Sequence, residues 1–397
     1  MKKNLFALVA LLVLVSMVLS ACGGAAPAAP AAPTAAPAAP TAAPAAPTAA
    51  PAAPTAAPAA PTAAPAAPTA APAAPAAFKP ATDKPKKIAF FVSDLSNVFH
   101  QGQATEAVKY AKEKYGADVT VFDGKADSAV MTQNIDQVIA QGMDAATLHI
   151  WDNQAATPGV EEALKKGIIM TSFFSPLGTT GIPTARSDEA GVSFAMGAEM
   201  AKQWKAAHPD KPIVMVELGW PNHTEVKSGR TDPWVKGVLS VDPTAKDLGC
   251  LDVSQGTDQA KQVMTDLLTT HPEVNLIYSE AGGQTVGTMA ALTQGGRGKM
   301  DNGKPLTEIV SSVDFDETEY KEVYDPNSSL KLSMGLPPKE TARGRIDLIM
   351  DVASGKVPMT SQPEQQLFYK ANNMSFWTMP QADAAAWLND EFGTNIK

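Results

Sequence analysis

Ile88-Ala89-Phe90-Phe91-Val92-Ser93-Asp94-Leu95-Ser96-Asn97-Val98-Phe99-His100 is the stretch on which the reading of this chain turns. Its first five residues form an unbroken apolar run, the pattern of a strand covered on both faces. The polar segment from Ser93 ends that run, and Asn97 stands where a following helix would take its N-cap. The same unit recurs toward the C-terminus. Strands are expected at Ile88–Val92, Val119–Phe122, Ala145–Ile150, Ile168–Phe173, Ile213–Leu218, Leu248–Val253, Leu276–Ser279, Glu308–Val313 and Leu330–Met334. Helices are expected near 101–115, 128–141, 154–166, 189–207, 257–270, 284–294, 316–324 and 338–353. Strands alternating with helices predict an α/β fold with parallel sheets and helical crossovers. The roughly 310 residues from Lys86 onward exceed what one sheet usually organises, so two Rossmann-like lobes joined by a hinge are expected. Open sheets of this kind bind ligands beyond the C-terminal ends of their strands. Two lobes facing each other with those ends would enclose one cleft.

Before Lys86 the chain is of another kind. Lys2 and Lys3 precede the apolar run Leu5–Leu19, which is too short and too N-terminal for an ordinary membrane span and reads as an export signal. It ends in Leu19-Ser20-Ala21-Cys22-Gly23-Gly24, which resembles a bacterial lipoprotein signal. That resemblance implies removal of 1–21, lipidation of Cys22, and a soluble domain anchored to the extracytoplasmic side of the membrane. Ala25–Ala77 is a Pro/Ala/Thr repeat with Thr34, Thr41, Thr48, Thr55, Thr62 and Thr69 at seven-residue spacing. Its prolines forbid a helix, so the heptad is no coiled coil. Within the 22–85 segment, about fifty residues in an extended polyproline-type spacer could hold the domain up to ~150 Å from the membrane. The composition fits a disordered segment with no spacing role as well.

The formal net charge of −9, with no Lys/Arg-rich cluster beyond the signal, argues against nucleic-acid binding. With Cys22 lipidated, Cys250 has no partner within the monomer and reads as a small core residue. No HExxH, no GxSxG elbow and no paired Cys or His at metal spacing occurs, so no enzyme, metal or cofactor is expected. Gly282-Gly283 lacks the Lys-Ser/Thr ending of a phosphate loop and reads as a strand-to-helix turn. Any ATP hydrolysis would belong to a partner chain.

From Lys86 onward the sequence resembles the type I periplasmic sugar-binding proteins, the ribose and glucose/galactose group. The opening strand and loop carry the resemblance, with Asn97 and Phe99 at the places of a polar residue and an aromatic that touch the sugar. Asp127–Gly142 and the step Val310–Asp314 also match, and an aspartate like Asp314 binds sugar hydroxyls in that family. Gly219-Trp220-Pro221-Asn222-His223-Thr224-Glu225, followed by Arg230, resembles the Gly-x-Pro-x-His-x-Asp…Arg segment of the glucose/galactose binders. Here the acid is Glu225, and Arg230 lies one residue farther away than the pattern requires. The sequence departs elsewhere. Phe173-Phe174-Ser175 stands where polar groups are usual, Ala281 beside Glu280 replaces an asparagine, Gln255-Gly256 replaces a tryptophan, and the calcium loop is missing at His208–Pro212. The resemblance implies three crossings between lobes, with 86–187 and 336–366 in the first lobe and 188–335 and 367–397 in the second.

Sugar chemistry asks for the same residues. Hydroxyls want convergent carboxylate, amide and guanidinium partners, and C–H faces stack on aromatic rings. The candidate ligand contacts are Asn97, Phe99, His100, Trp151, Asp152, Phe174, Trp220, His223, Glu225, Arg230, Glu280 and Asp314, all just after expected strands or in the next loop. Each has a plainer alternative. Asn97 and Asp314 can cap helices, Phe99 and Trp220 can be core anchors, and Arg230 can be a solvated charge or a salt bridge within its lobe. His149, inside an expected strand, reads as core. The expected function is that of a monomeric receptor that closes on a small sugar and delivers it to an ABC permease with its ATPase. A sensory receptor of the same fold, or a binder of a nonsugar such as a nucleoside, fits the same sequence.

Overall fold

The computed structural model describes residues 78–177, 180–359, 366–370, 372–375 and 378–397. The signal, Cys22 and the spacer to residue 77 lie outside the described residues.

The described chain forms two six-stranded sheets. The first contains β1 (Lys87–Val92), β2 (Asp118–Asp123), β3 (Ala145–Leu148), β4 (Ile169–Phe173) and β5 (Thr184–Asp188). The second contains β6 (Val214–Gly219), β7 (Lys246–Asp252), β8 (Leu276–Ser279), β11 (Ile309–Asp314) and β12 (Leu330–Gly335). A hairpin of β9 (Met300–Asp301) and β10 (Lys304–Pro305) stands apart. Late in the chain, β13 (Gln366–Lys370) joins the first sheet and β14 (Asn372–Ser375) the second. The strand orders are β2-β1-β3-β4-β5-β13 and β7-β6-β8-β11-β12-β14, so the two halves repeat one doubly wound pattern. All pairings within these sheets are parallel except β12 with β14. All nine strands expected from the apolar runs are present, with ends shifted by a residue or two. Strand β13 stays in the first sheet to Lys370, so the returning segment of the first lobe runs a few residues past the 366 expected from the sequence.

Helices supply the crossovers: α1 (Val98–Tyr110), α2 (Ser128–Ala140), α3 (Asn153–Lys165), α4 (Ala190–Ala207), α5 (Asp232–Val241), α6 (Thr257–Thr270), α7 (Gly282–Gln294), α8 (Glu317–Tyr324), α9 (Pro338–Ala353) and α10 (Gln381–Phe392). Alternation along β1 shows why its apolar run is continuous. Ile88, Phe90 and Val92 pack into one core and Ala89 and Phe91 into another on the opposite face. Helices α4 and α5 approach closely through two glycines. A Cβ at Gly197 would meet the Trp234 carbonyl, and one at Gly237 the Phe194 carbonyl.

Helix α9 carries the chain from β12 of the second sheet back to the first. It does so with a fully buried guanidinium. Arg345 donates from Nη2 to the Phe91 carbonyl at 2.7 Å and the Thr147 carbonyl at 3.1 Å. It also donates from Nη1 to Gln103 Oε1 at 2.7 Å and from Nε to Thr147 Oγ1 at 3.1 Å. The guanidinium lies 3.8 Å from the ring centre of Phe90 and 4.7 Å from that of Phe173. No carboxylate pairs with it among the described residues, so neutral acceptors and ring faces alone offset its desolvation. Arg345→Ala is expected to cost about 3 kcal/mol or more, from a cavity plus orphaned acceptors. Urea unfolding measures this, and a loss within experimental error would contradict the assigned network.

Candidate ligand-binding site

The C-terminal strand ends of both sheets converge on a cavity of about 550 Å³. Ser93, Asn97, Phe99 and His100 follow β1, His149 and Trp151 follow β3, and Phe173 and Phe174 close β4. From the second sheet come Trp220 and His223 after β6, Gly282 and Gln284 after β8, and Asp314 at the end of β11. In each sheet the central contributors, β1 with β3 and β6 with β8, flank the point where the strand order reverses, so neighbouring loops part there and leave a crevice.

The two walls differ. On the first-sheet side, aromatic rings form a continuous run. Centroids of His100 and His149 are 5.1 Å apart, His149 and Phe173 5.1 Å, and Phe174 and His223 5.9 Å. Three of the five histidines in the chain line this one cavity. His100 Nε2 lies 2.7 Å from Ser93 Oγ, while Nδ1 of both His100 and His149 has no protein partner. Burial, reinforced by the charge of Arg345, holds the His100 imidazole down at about 3. Burial, then neighbouring His100, holds His149 well below the ordinary histidine range. This wall is therefore neutral near pH 7.

The opposite wall is charged. Arg230 donates from Nε to Glu189 Oε2 at 2.6 Å and from Nη1 to the Glu280 carbonyl at 2.7 Å, and its guanidinium lies 5.5 Å from the Phe174 ring centre. Burial works against its charge, but Glu189 carries its pKa above the usual value. Asp314 accepts from the Gly282 N–H at 3.1 Å, at the start of α7. Burial raises its carboxyl, opposed by Arg230 and by that N–H.

Backbone strain gathers at the same place. Among the described residues six non-glycine positions have φ in the left-handed region, and Ala126 (53°), Phe174 (66°) and Asp314 (101°) line the cavity. Such positions cost about 1–3 kcal/mol each and persist when their surroundings fix them. At Asp314-Phe315 the fixing group is the buried Glu319 carboxyl, which accepts from Phe315 N at 2.7 Å and Ser333 Oγ at 2.6 Å.

The structure brings together Asn97, Phe99, His100, Trp151, Phe174, Trp220, His223, Arg230 and Asp314 around the cavity. Asn97 also caps α1, its Oδ1 accepting from Phe99 N at 2.8 Å. Asp314 does not cap α8, because Asp316 does. Arg230 reaches the cleft although it stands one residue beyond the family spacing. Residues Lys227–Thr231 form a π turn, which holds more residues per turn than an α-helix and so takes up the extra one. Glu225 lies farther out, its Oε2 3.3 Å from His223 Nδ1. Two expected contacts fall outside the cleft lining. Asp152 is exposed and caps α3 through Ala155 N, and Glu280 is fully buried beneath the site. The Glu280 carboxylate accepts from Trp220 N at 2.9 Å and from the Thr231 hydroxyl, filling the space a side chain at residue 219 would need. Gly219 is therefore required by close approach.

Sequence reasoning missed His149, Glu189, Phe173 and Gln284. Strand β3 stops at Leu148, two residues short of the expected end, so His149 lies past the strand and not inside it. A polar residue near the end of an apolar run was the available signal. Nothing local marks Glu189 as the partner of Arg230.

Comparison with known proteins now decides the family. The periplasmic binding protein domain model matches residues 88–356. The chain belongs to that family. It is 24% identical to the ribose import binding protein RbsB of Bacillus subtilis over 223 residues, 55% of this chain and 70% of that one. The fold resembles GanP, a glucose-galactose binding protein of Geobacillus stearothermophilus, with TM-score 0.62 and 14% identity, covering 75% of this chain and 99% of that one. It also resembles the 5-methylthioribose transporter solute binding protein of Thermotoga lettingae, solved with 5-methylthioribose, with TM-score 0.60 and 18% identity, covering 75% and 88%. This is a family of extracytoplasmic binding proteins with two α/β lobes. Among the described residues no helix is long and apolar enough to cross a membrane, and no cluster of metal-ligating side chains is assembled.

The histidine wall makes a pH prediction. In the unfolded chain His100 protonates near 6.5, and in the fold only near 3. Its contribution is intact above 6.5 and is lost as pH falls toward 3. Glu319, pushed up to about 8 by burial, acts with the opposite sign as pH rises from its ordinary 4.5. His100→Gln is expected to lose about 2 kcal/mol less stability than the parent between about pH 7.5 and about pH 5. Urea titrations at the two pH values measure the difference, and equal losses in both proteins would contradict the neutral buried imidazole.

Proposed function

We propose that this chain is the solute receptor of an ABC importer, holding a small sugar between its lobes and handing it to a permease. The supporting observation is the divided cleft, with ring faces on one side and Arg230 and Asp314 on the other. A sugar has that division in itself, since its C–H faces stack on rings while its edge hydroxyls pair with charged groups. The relatives named for ribose import and glucose-galactose binding support the same chemistry. In this reading the lobes are 86–187 with the returning segment from 336 to Lys370, and 188–335 with the C-terminal segment, and Cys22 carries the lipid that keeps the receptor at the membrane. Ligand binds both lobes only when they close, which gives the differential affinity a population shift needs.

One observation favours a less polar variant of the ligand. Phe173, Phe174 and two neutral imidazoles make the first wall poor in fixed charge. A sugar with an apolar substituent, as in the 5-methylthioribose complex of the Thermotoga relative, or a nucleoside, fits that wall.

Mass spectrometry of small molecules co-purified with the protein, followed by calorimetry on pentoses, hexoses, methylthio sugars and nucleosides, tests both readings. The best ligand should lose about 10–100-fold in affinity in Asp314→Asn, the value of one charge-assisted hydrogen bond. An unchanged Kd would remove Asp314 from the site. Small-angle scattering should show a smaller radius of gyration with saturating ligand, and an unchanged radius would sink the closure mechanism.

A further inference from the structure

The cleft does not end at its aromatic wall. Past Trp151, Trp220 and His223, which border both spaces, it opens into a second chamber of about 430 Å³. Trp151 stands just beyond β3 of the first sheet and Trp220 just beyond β6 of the second, so half-buried indoles from opposite sheets line this chamber. Apart from Pro221, the rest of its lining is polar. Glu225 and Asp252 bring carboxylates and Asn153 an amide. Hydrogen bonding with His223 lowers the Glu225 pKa, which keeps its carboxylate ionised. One buried atom of a lining residue, Asn153 Oδ1, has no hydrogen-bond partner among the described residues. An unpaired buried polar atom costs about 1–3 kcal/mol, so a chamber with one among its lining residues suits a polar occupant.

The geometry points to a subsite for a second sugar ring: the ligand is a disaccharide or glycoside whose first ring fills the inner cavity and whose second lies between Trp151 and Trp220. This rests on the inner cavity being a sugar site. Hydroxyls donate to carboxylates, and C–H faces lie on indoles. An alkyl tail would lie against the carboxylates of Glu225 and Asp252 with no donor to offer them, and a phosphate would meet two like charges.

Calorimetry on the purified protein tests this with D-glucose, D-galactose and D-ribose against maltose, cellobiose, lactose, melibiose and the methyl glycosides of the three. D-glucosamine serves as the amine probe, because indoles and carboxylates also suit a cation. At least one disaccharide or glycoside should bind about tenfold or more tighter than its own monosaccharide. Asp252→Asn keeps the acceptor for the Ser254 N–H. It should remove about fivefold of that advantage while leaving the monosaccharide Kd within about twofold. Monosaccharide binding with no gain from a second unit, equal weakening of both ligands by Asp252→Asn, or a gain confined to D-glucosamine would each overturn the subsite and leave the inner sugar site standing. If no saccharide of either size bound, the inner sugar site would fall and the subsite with it.

Discussion

A buried cation with no counter-ion among the described residues, Arg345, is the constraint on which the first lobe and its side of the cleft depend. It sits on a helix that the chain reaches only after building most of the second sheet, and it binds backbone and side chains of β1, β3 and α1. Those partners are 198 to 254 residues away in sequence. The guanidinium fastens the returning helix under the sheet and supports Phe90 and Phe173 from below. Its charge also reaches through to the histidines above, adding to burial in keeping His100 and His149 neutral. One group therefore sets a packing relation and contributes, after burial, to the electrostatic character of the ligand wall.

The second lobe solves a related problem by different means. Its cleft groups are charged, so each is held by partners that satisfy it without taking all its valences. Glu189 and the Glu280 carbonyl position Arg230. The start of α7 holds one oxygen of Asp314, and Glu319 props the left-handed backbone beside it. Glu280 lies below, tying Trp220 to the Thr231 turn. Left-handed backbone at Asp314 and Phe315 and the charges of Arg230 and Asp314 thus meet at the strand ends of this lobe. A cleft preorganised in this way loses less freedom on binding than one that must form around its guest.

The division of the walls bears on selectivity. A neutral aromatic face rejects little on its own, whereas a buried carboxylate left without a donor is costly. Discrimination between ligands should therefore come mainly from the Asp314 and Arg230 side, with the ring faces contributing affinity that tolerates substitution. The tryptophans at the border give the cavity a second aromatic edge, which extends the same chemistry outward.

Much of this was legible in the chain itself. Runs such as Ile88–Val92 and Leu276–Ser279 fixed the strands, because covering both faces of a parallel strand demands uninterrupted apolar residues. Their alternation with helices fixed the doubly wound lobes, and the family resemblance, together with the rule that ligands sit beyond strand ends, pointed to Asn97, Arg230 and Asp314, which line the cavity. The tertiary structure decided what local pattern cannot. It ended β3 at Leu148 and so turned His149 from core into cleft lining, it spent Asp152 on a helix cap, and it drew Glu280 below the site. It wound Lys227–Thr231 as a π turn that carries Arg230 inward, and it placed Arg345 under a sheet made far earlier in the chain. The physical reason is range. Hydrophobic periodicity is a property of neighbours along the chain, whereas the direction a side chain faces at a strand end depends on packing and hydrogen bonds from residues hundreds of positions away.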